Sequence, residues 1–213
     1  MRLAFLGPPG AGKGTLAELY AARHGLAHLS TGEMLRAAIA AGTPLGQQAR
    51  PYVETGRLVP QALLGEVVAA RLREVTAYIL DGYPRTLEQA AFLEELPGFA
   101  LDAVVFLAVP AEVAVRRLSA RRVCPSCGAV HGREVGAGDA CRRCGGELTV
   151  RADDDEKTVR RRYDVYVRET AAVVEHYRDA GKLREVDGTG EPETVLARLE
   201  AALAPLARGH DNG

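Results

Sequence analysis

Nine residues constrain this chain more than any others: Gly-Pro-Pro-Gly-Ala-Gly-Lys-Gly-Thr at positions 7–15. They follow the short apolar run 2–6 and precede a stretch with helical spacing through Leu16, Leu19 and Tyr20 that stops at Gly25. A buried strand, a tight glycine loop and a helix in that order place the segment at one end of a sheet covered by helices. Glycines let backbone N–H groups turn toward an anion, and the helix N-terminus adds partial positive charge. Gly10, Ala11, Gly12, Lys13, Gly14 and Thr15 are therefore candidates to hold a phosphate chain, with Lys13 reaching its outer phosphates. The competing reading is a strand–helix turn without a ligand. One position departs from the general pattern G-x-x-x-x-G-K-[ST]: Gly14 stands where a hydroxyl would bind Mg²⁺. Any metal is then expected to be held by nucleotide phosphates and water.

The rest of the chain alternates in kind. "AYIL" before Asp81 and "AVVFLAV" before Pro110 read as buried parallel strands, and "KLREV" before "DGTG" as another. Helical patterns cover 61–73, 86–95, 111–120, 154–180 and 193–206, and Ser30 or Thr31 can cap a further helix that closes at Gly42. Pro51 falls inside the helical pattern 44–55 and is expected to bend or break it. The last seven residues, 207–213, are expected to fray. The alternation predicts an α/β fold with a parallel sheet flanked by helices.

Composition excludes several functions. The formal charge is −1, so no overall field favours nucleic acid or an anionic membrane. No apolar run approaches the ~18 residues of a membrane span. The apolar run at the N-terminus is too short for a signal peptide, which leads to the expectation of a cytoplasmic protein. In a reducing compartment, cysteine pairs favour metal thiolates over disulfides. All four cysteines, Cys124, Cys127, Cys141 and Cys144, form one C-x₂-C-x₁₃-C-x₂-C array. Four soft ligands on two tight turns suit tetrahedral Zn²⁺, with no position left open for catalysis. The insertion that carries them is too short to bury a core of its own, so a metal would supply the rigidity.

"GPPGAGKGT", "STGEMLR", "ETGRLVP", "DGYPRT" and "RADDDEKTVRRR" come in this order with family-like gaps. Together they resemble adenylate kinase in its long bacterial form, from residue 1 to about 206. The resemblance implies the P-loop nucleoside monophosphate kinase fold. Its core would be residues 1–29, 60–119 and 155–213. Residues 30–59 would form a mobile arm for the monophosphate, and 120–154 a zinc-ribbon lid hinged near Ala120 and Asp154. The implied reaction is ATP + AMP ⇌ 2 ADP, with Mg²⁺ in the site, structural Zn²⁺ in the lid and a monomeric protein.

The resemblance also implies roles. Thr31, Arg36, Arg57, Leu58, Val59, Gly82, Tyr83, Pro84, Arg85 and Gln89 match the AMP site, Gln89 reading the adenine edge. Arg121, the Val130–His131 turn and Gly190 match the ATP adenine contacts. Arg117 and Arg121 face ATP and the transferring phosphoryl group, while Arg151 and Arg162 contact the AMP side and the transition state. From the residues alone, Asp81 either orients Mg²⁺ through its waters or caps a turn, and Thr31 and Arg36 read more simply as a cap and a solvated helix arginine. Arg117 and Arg121 are four apart and so predicted on one helix face. On the helix predicted over 154–180, Val159, Tyr163, Tyr166, Thr170, Val173 and Tyr177 share a face. Arg162 falls beside that face and Arg161 nearly opposite. His131 could be proposed as a fifth metal ligand or a base, but the favoured reading is a surface residue stacking on the nucleotide. Three other functions compete: a kinase for UMP, CMP or GMP, a zinc-ribbon nucleic-acid binder, and a GTP-dependent switch, the last opposed by Gly14.

Overall fold

A computed structural model describes residues 1–132 and 134–209. Strand β1 (Arg2–Leu6) leads through the glycine loop into helix α1 (Lys13–His24), which ends on Gly25 in the left-handed region, φ 66°. Then come β2 (Ala27–Ser30), α2 (Thr31–Ala40), α3 (Pro44–Glu54), α4 (Gln61–Leu72), β3 (Tyr78–Asp81), α5 (Leu87–Glu95), β4 (Ala103–Ala108) and α6 (Ala111–Ala120). Two short strands follow, β5 (Arg122–Val123) and β6 (Val130–His131). The chain returns through a 3₁₀ turn (Ala152–Asp154), α7 (Glu156–Val165), a π-helical segment (Tyr166–Thr170), α8 (Ala171–Asp179), β7 (Leu183–Asp187) and α9 (Pro192–Gly209).

The main sheet is wholly parallel, in the order β2-β3-β1-β4-β7. Its three central strands, β3, β1 and β4, are apolar at nearly every position because both faces are covered. Leu3, Phe5, Ile79, Val105 and Leu107 pack on one side with Leu16, Tyr20, Leu196 and Leu199 of α1 and α9. Ala4, Leu6, Tyr78, Leu80 and Val104 pack on the other with Leu64, Val68, Leu93 and Tyr177 of α4, α5 and α8. The register sets Ser30 and Phe5 on either side of Asp81 at the carboxyl ends of the strands. That edge of an open α/β sheet is where ligands bind.

Four expectations need correction. Residues 27–30 form an additional, edge strand; four residues of mixed polarity carry too little pattern to announce one. Helix α3 runs unbroken through Pro51, which is exposed and lies in the last turn, where the missing N–H costs a single bond. The helix predicted over 154–180 is not one regular helix. It starts at Glu156, where the Asp155 side chain accepts from the Thr158 N–H, and it carries the π turn before α8. Finally, α6 ends at Ala120 and Arg121 is already extended (ψ 132°), so Arg117 and Arg121 do not share a helix face. Of the tail expected to fray, residues 207–209 close α9, and 210–213 lie outside the described residues. Among the described residues, no helix is long and apolar enough to cross a membrane.

Candidate active site

The glycine loop is shaped by its neighbours. Gly10 (φ 85°) has the Ala114 carbonyl 2.3 Å from where a Cβ would stand, so α6 can press on the loop only because no side chain intervenes. Helix α1 begins at Gly12 with no side-chain cap and no acid in its first turn. Its leading N–H groups thus face the loop's concavity, an arrangement that favours an anion. Lys13 folds back over the loop, its Nζ donating to the carbonyls of Gly7 (2.8 Å) and Pro8 (2.9 Å). Burial pulls Lys13 down to about 7, with Arg85, Arg162 and Arg121 adding to the shift and Asp81 opposing it.

Asp81 lies beside the position of the missing hydroxyl. A Cβ on Gly14 would stand 3.2 Å from Asp81 Oδ2. That oxygen also accepts from Ser30 Oγ (3.3 Å) and lies 3.7 Å from His28 Nε2. Burial alone would raise the Asp81 carboxyl, but His28, Lys13 and Arg85 together hold it below its ordinary value. An ionised carboxylate therefore sits beside the lysine, in place of a loop hydroxyl.

Basic side chains converge from separate elements. Arg85 Nε donates to Gly82 O (2.7 Å), and burial, then Arg162, lowers its guanidinium to about 10 despite Asp81. Arg151, beside Arg121 and Arg36, is lowered to about 10, chiefly by burial, and its Nε is buried without a protein partner. Arg162 donates to Asp153 Oδ2 (3.2 Å) and Asp154 Oδ1 (3.1 Å), while Arg121 grips Asp154 with two donors, Nε–Oδ2 being 2.7 Å. Arg117 bridges the carbonyls of Ala11 (3.2 Å), Gly188 (2.9 Å) and Gly190 (3.1 Å), tying α6 to the glycine loop and to the loop after β7. Six cations, Lys13, Arg36, Arg85, Arg121, Arg151 and Arg162, thus influence one another across a region with three carboxylates, Asp81, Asp153 and Asp154. Crowded, partly desolvated cations of this kind attract polyphosphate. Arg161 is exposed, and exposed Arg160 pairs with Glu156 of its own helix at 2.8 Å.

The opposite wall holds a second set. Gln89, 2% exposed, accepts from the Arg85 backbone N–H (2.8 Å) and faces Val59 O at 3.5 Å. Thr31 Oγ1 donates toward the carbonyls of Asp81 and Gly82 (3.2 and 3.1 Å). Leu58, Gly82 and Arg85 line a cleft with Gly7, Lys13 and Tyr166, and Tyr83 and Pro84 are buried behind it. The Arg57 side chain turns away, stacked over Tyr52 at 5.0 Å; Thr15 is exposed.

The four cysteines meet. Their sulfurs all lie within 4.8 Å of one another and none is in a disulfide. Zn–S bonds of about 2.3 Å in a tetrahedron need sulfurs about 3.8 Å apart, so the donor set fits zinc. Backbone N–H groups of Cys127 and Ser126 take the Cys124 thiol down to about 6 although burial would raise it. Cys127 is pushed up to about 12: the Ala129 N–H would lower it, but burial and the sulfurs of Cys144, Cys141 and Cys124 prevail. Four thiols this close cannot all ionise without a cation between them.

Reading the sequence missed His28, Ser30, Asp153 and Asp154. The run Asp153-Asp154-Asp155 was the available signal: its first two members are 8% exposed, rare for carboxylates unless they are paired.

Fold and cleft define the class, a P-loop nucleoside monophosphate kinase, and so a phosphotransferase. A family model described as Adenylate kinase matches residues 5–182. Adenylate kinase of Archaeoglobus fulgidus is 44% identical, spanning 97% of this chain and 99% of the relative. Adenylate kinases of Kosmotoga olearia (45%; 93% and 97%) and Petrotoga mobilis (43%; 93% and 95%) are similar over comparable spans. The chain belongs to the adenylate kinase family.

Proposed function

We propose that the protein catalyses ATP + AMP ⇌ 2 ADP, with Mg²⁺ accompanying the nucleotides and Zn²⁺ holding the lid. The observation that carries this reading is the cation cluster between the glycine loop on one side and the Arg85–Gln89 wall on the other. The loop, Lys13, Arg117 and Arg121 serve ATP, with its base near Val130 and Gly190. Thr31, Arg36, the 57–59 backbone, Gly82–Arg85 and Gln89 serve AMP. Arg151 and Arg162 lie between and spread the charge of the phosphoryl group in flight. The acceptor is itself a phosphate, so no general base is required.

Mg²⁺, when bound, neutralises phosphate charge. Asp81, ionised at the strand edge, would hold its waters. Residues 30–59 act as the monophosphate arm and 120–154 as the lid, which excludes water from the transfer. The protein works as a monomer on nucleotides alone, in the cytoplasm, without nucleic-acid or membrane partners. A coupled assay of ADP formation with AMP, UMP, CMP and GMP, with and without Mg²⁺, tests the reading, together with metal analysis and sedimentation. It stands if AMP is preferred, Mg²⁺ is needed and one zinc is found per chain. A preference for another monophosphate overturns it.

A further inference from the structure

The zinc knuckles are nearly symmetric, and the asymmetry is informative. In each, the glycine after the second cysteine has φ 74° and donates its N–H to the first cysteine's carbonyl, Gly128 to Cys124 (2.9 Å) and Gly145 to Cys141 (2.8 Å). Cys141 also receives a backbone N–H at its sulfur, from Arg143 (3.4 Å). Among the described residues, Cys141 alone of the four has a side-chain partner from outside the knuckles: His131 Nε2, 3.3 Å from its sulfur.

β6 explains how the ring gets there. Successive side chains of a strand point to opposite faces. Val130 is 42% exposed, and His131 is turned inward to the cysteines. Its pairing with Arg122 puts the ring beside the chain that runs directly into Cys124.

We infer that His131 is a positioning residue of the metal centre: its Nε2–H donates to the Cys141 thiolate, fixing that ligand and offsetting its charge. This rests on the zinc-lid reading above. The chemistry of the pair sets the direction. A metal-bound thiolate has no proton to give, so the 3.3 Å contact is favourable only if Nε2 carries the hydrogen. A donor role also agrees with the compact set of mutually close ligand atoms, which contains the four sulfurs and not the imidazole. Four thiolates around Zn²⁺ leave a net charge of about −2 in a small, poorly buried module, and donors to sulfur are what stabilise such a centre. With the ring so occupied, Val130 and the backbone of this turn remain to meet a nucleotide base.

The test uses the full chain and zinc alone as the probe. Zinc content and affinity of the wild type are measured first, by chelator competition, then those of His131→Ala, His131→Phe and His131→Gln, with circular dichroism to confirm folding. Losing a hydrogen-bonding partner of a ligand typically weakens metal binding about 10–100-fold. His131→Ala and His131→Phe are expected to fall in that range. His131→Gln, whose amide N–H can reach the same sulfur, is expected to recover most of the loss. Cobalt substitution should give the same four-thiolate absorption in all of them. The inference is overturned if His131→Ala binds zinc within twofold of wild type. It is overturned equally if His131→Phe matches wild type, since bulk and not the N–H would then matter, or if the cobalt spectrum shows nitrogen ligation lost on mutation. An altered KM for ATP with zinc binding unchanged would assign the ring to the nucleotide. A wild-type chain that binds no zinc removes the lid reading itself, and this inference with it.

Discussion

Lys13 lies among neighbours that pull its charge in opposite directions. Burial and three arginines favour the neutral amine, Asp81 the ammonium, and the balance falls at about 7 against an ordinary 10.5. A polyphosphate brings negative charge beside Nζ and raises that value. Between about 7 and 10.5, nucleotide binding should therefore take up a proton at this site. Calorimetry of ATP binding near pH 8.5 in buffers of different ionisation enthalpy would show the uptake, and Lys13→Met should abolish it. The same substitution should lower turnover by about 10²–10³-fold, because the transferring charge peaks in the transition state. Uptake that survives in Lys13→Met would place the linked proton elsewhere. Arg162 and Arg161 form a second contrast. Arg162 reaches Asp153 and Asp154 at the cleft with a side chain 17% exposed, whereas Arg161 is exposed and donates toward the Thr55 carbonyl at 3.5 Å. Arg162→Ala should cut turnover at saturating nucleotides about a hundredfold or more, and Arg161→Ala should be nearly silent. Comparable effects would mean that the charge cluster is not where the reaction occurs.

At the scale of elements, α2 and α3 form a hairpin that lies over the sheet edge. They cross at Gly46, where a Cβ would stand 2.1 Å from the Ala38 carbonyl. The obstacle is helix backbone, which cannot rotate away as a side-chain tip can. Gly46→Ala should therefore push the two helices apart, costing about 1–3 kcal/mol, the usual range for overpacking. If residues 30–59 hold the monophosphate, KM for AMP should rise while KM for ATP stays within about twofold. Equal changes in both would separate the hairpin from AMP recognition. The π turn at Tyr166–Thr170 also has a consequence here. It carries Thr170 to the Arg85 carbonyl, where its hydroxyl donates at 3.1 Å, so the helix that bears Arg162 also anchors the Arg85 loop.

In the whole molecule, the cleft between the glycine loop, Leu58, Arg85 and Tyr166 leaves about 40 Å³ of space for water. Sites for molecules of nucleotide size are about 300–1,000 Å³, larger than this cleft. On the function proposed above, residues 30–59 and 120–154 are the arm and lid that would move to admit a nucleotide. One lid tie is the exposed pair Arg143–Glu18 at 3.4 Å, of a kind that adds little stability. The lid has a small core of its own: Cys124, Cys141 and Leu148 buried, with Cys127, Ala129 and Val135 against them. On the zinc-lid reading proposed above, metal binding supplies much of this segment's folding energy. Cys141→Ser should lose zinc and lower Tm, by about 2–4 °C for each kcal/mol lost. Turnover at low temperature should suffer less than stability does. An unchanged Tm in a folded, zinc-free variant would remove the metal's structural role.

The chain's local order was legible from residues alone wherever one interaction dominates a short segment. The glycine loop, the capped start of α2 at Ser30, the buried strands β1, β3 and β4, and the paired cysteines all announce themselves, since backbone freedom, capping and thiolate chemistry act within a few residues. Even the phase of Arg162 followed from helical period, because α7 is regular up to Val165. What lay beyond was set by contacts between distant segments. Gly14 has the carboxylate of Asp81, 67 positions later, packed beside it. The run 153–155 divides into two buried partners for Arg121 and Arg162 and one helix cap because the 3₁₀ turn directs the carboxylates differently. β2 is a strand only because the edge of β3 is there to pair with it. Spacing records what a residue can do with its chain neighbours; which side of a distant charge it meets is decided when the sheet and its helices pack.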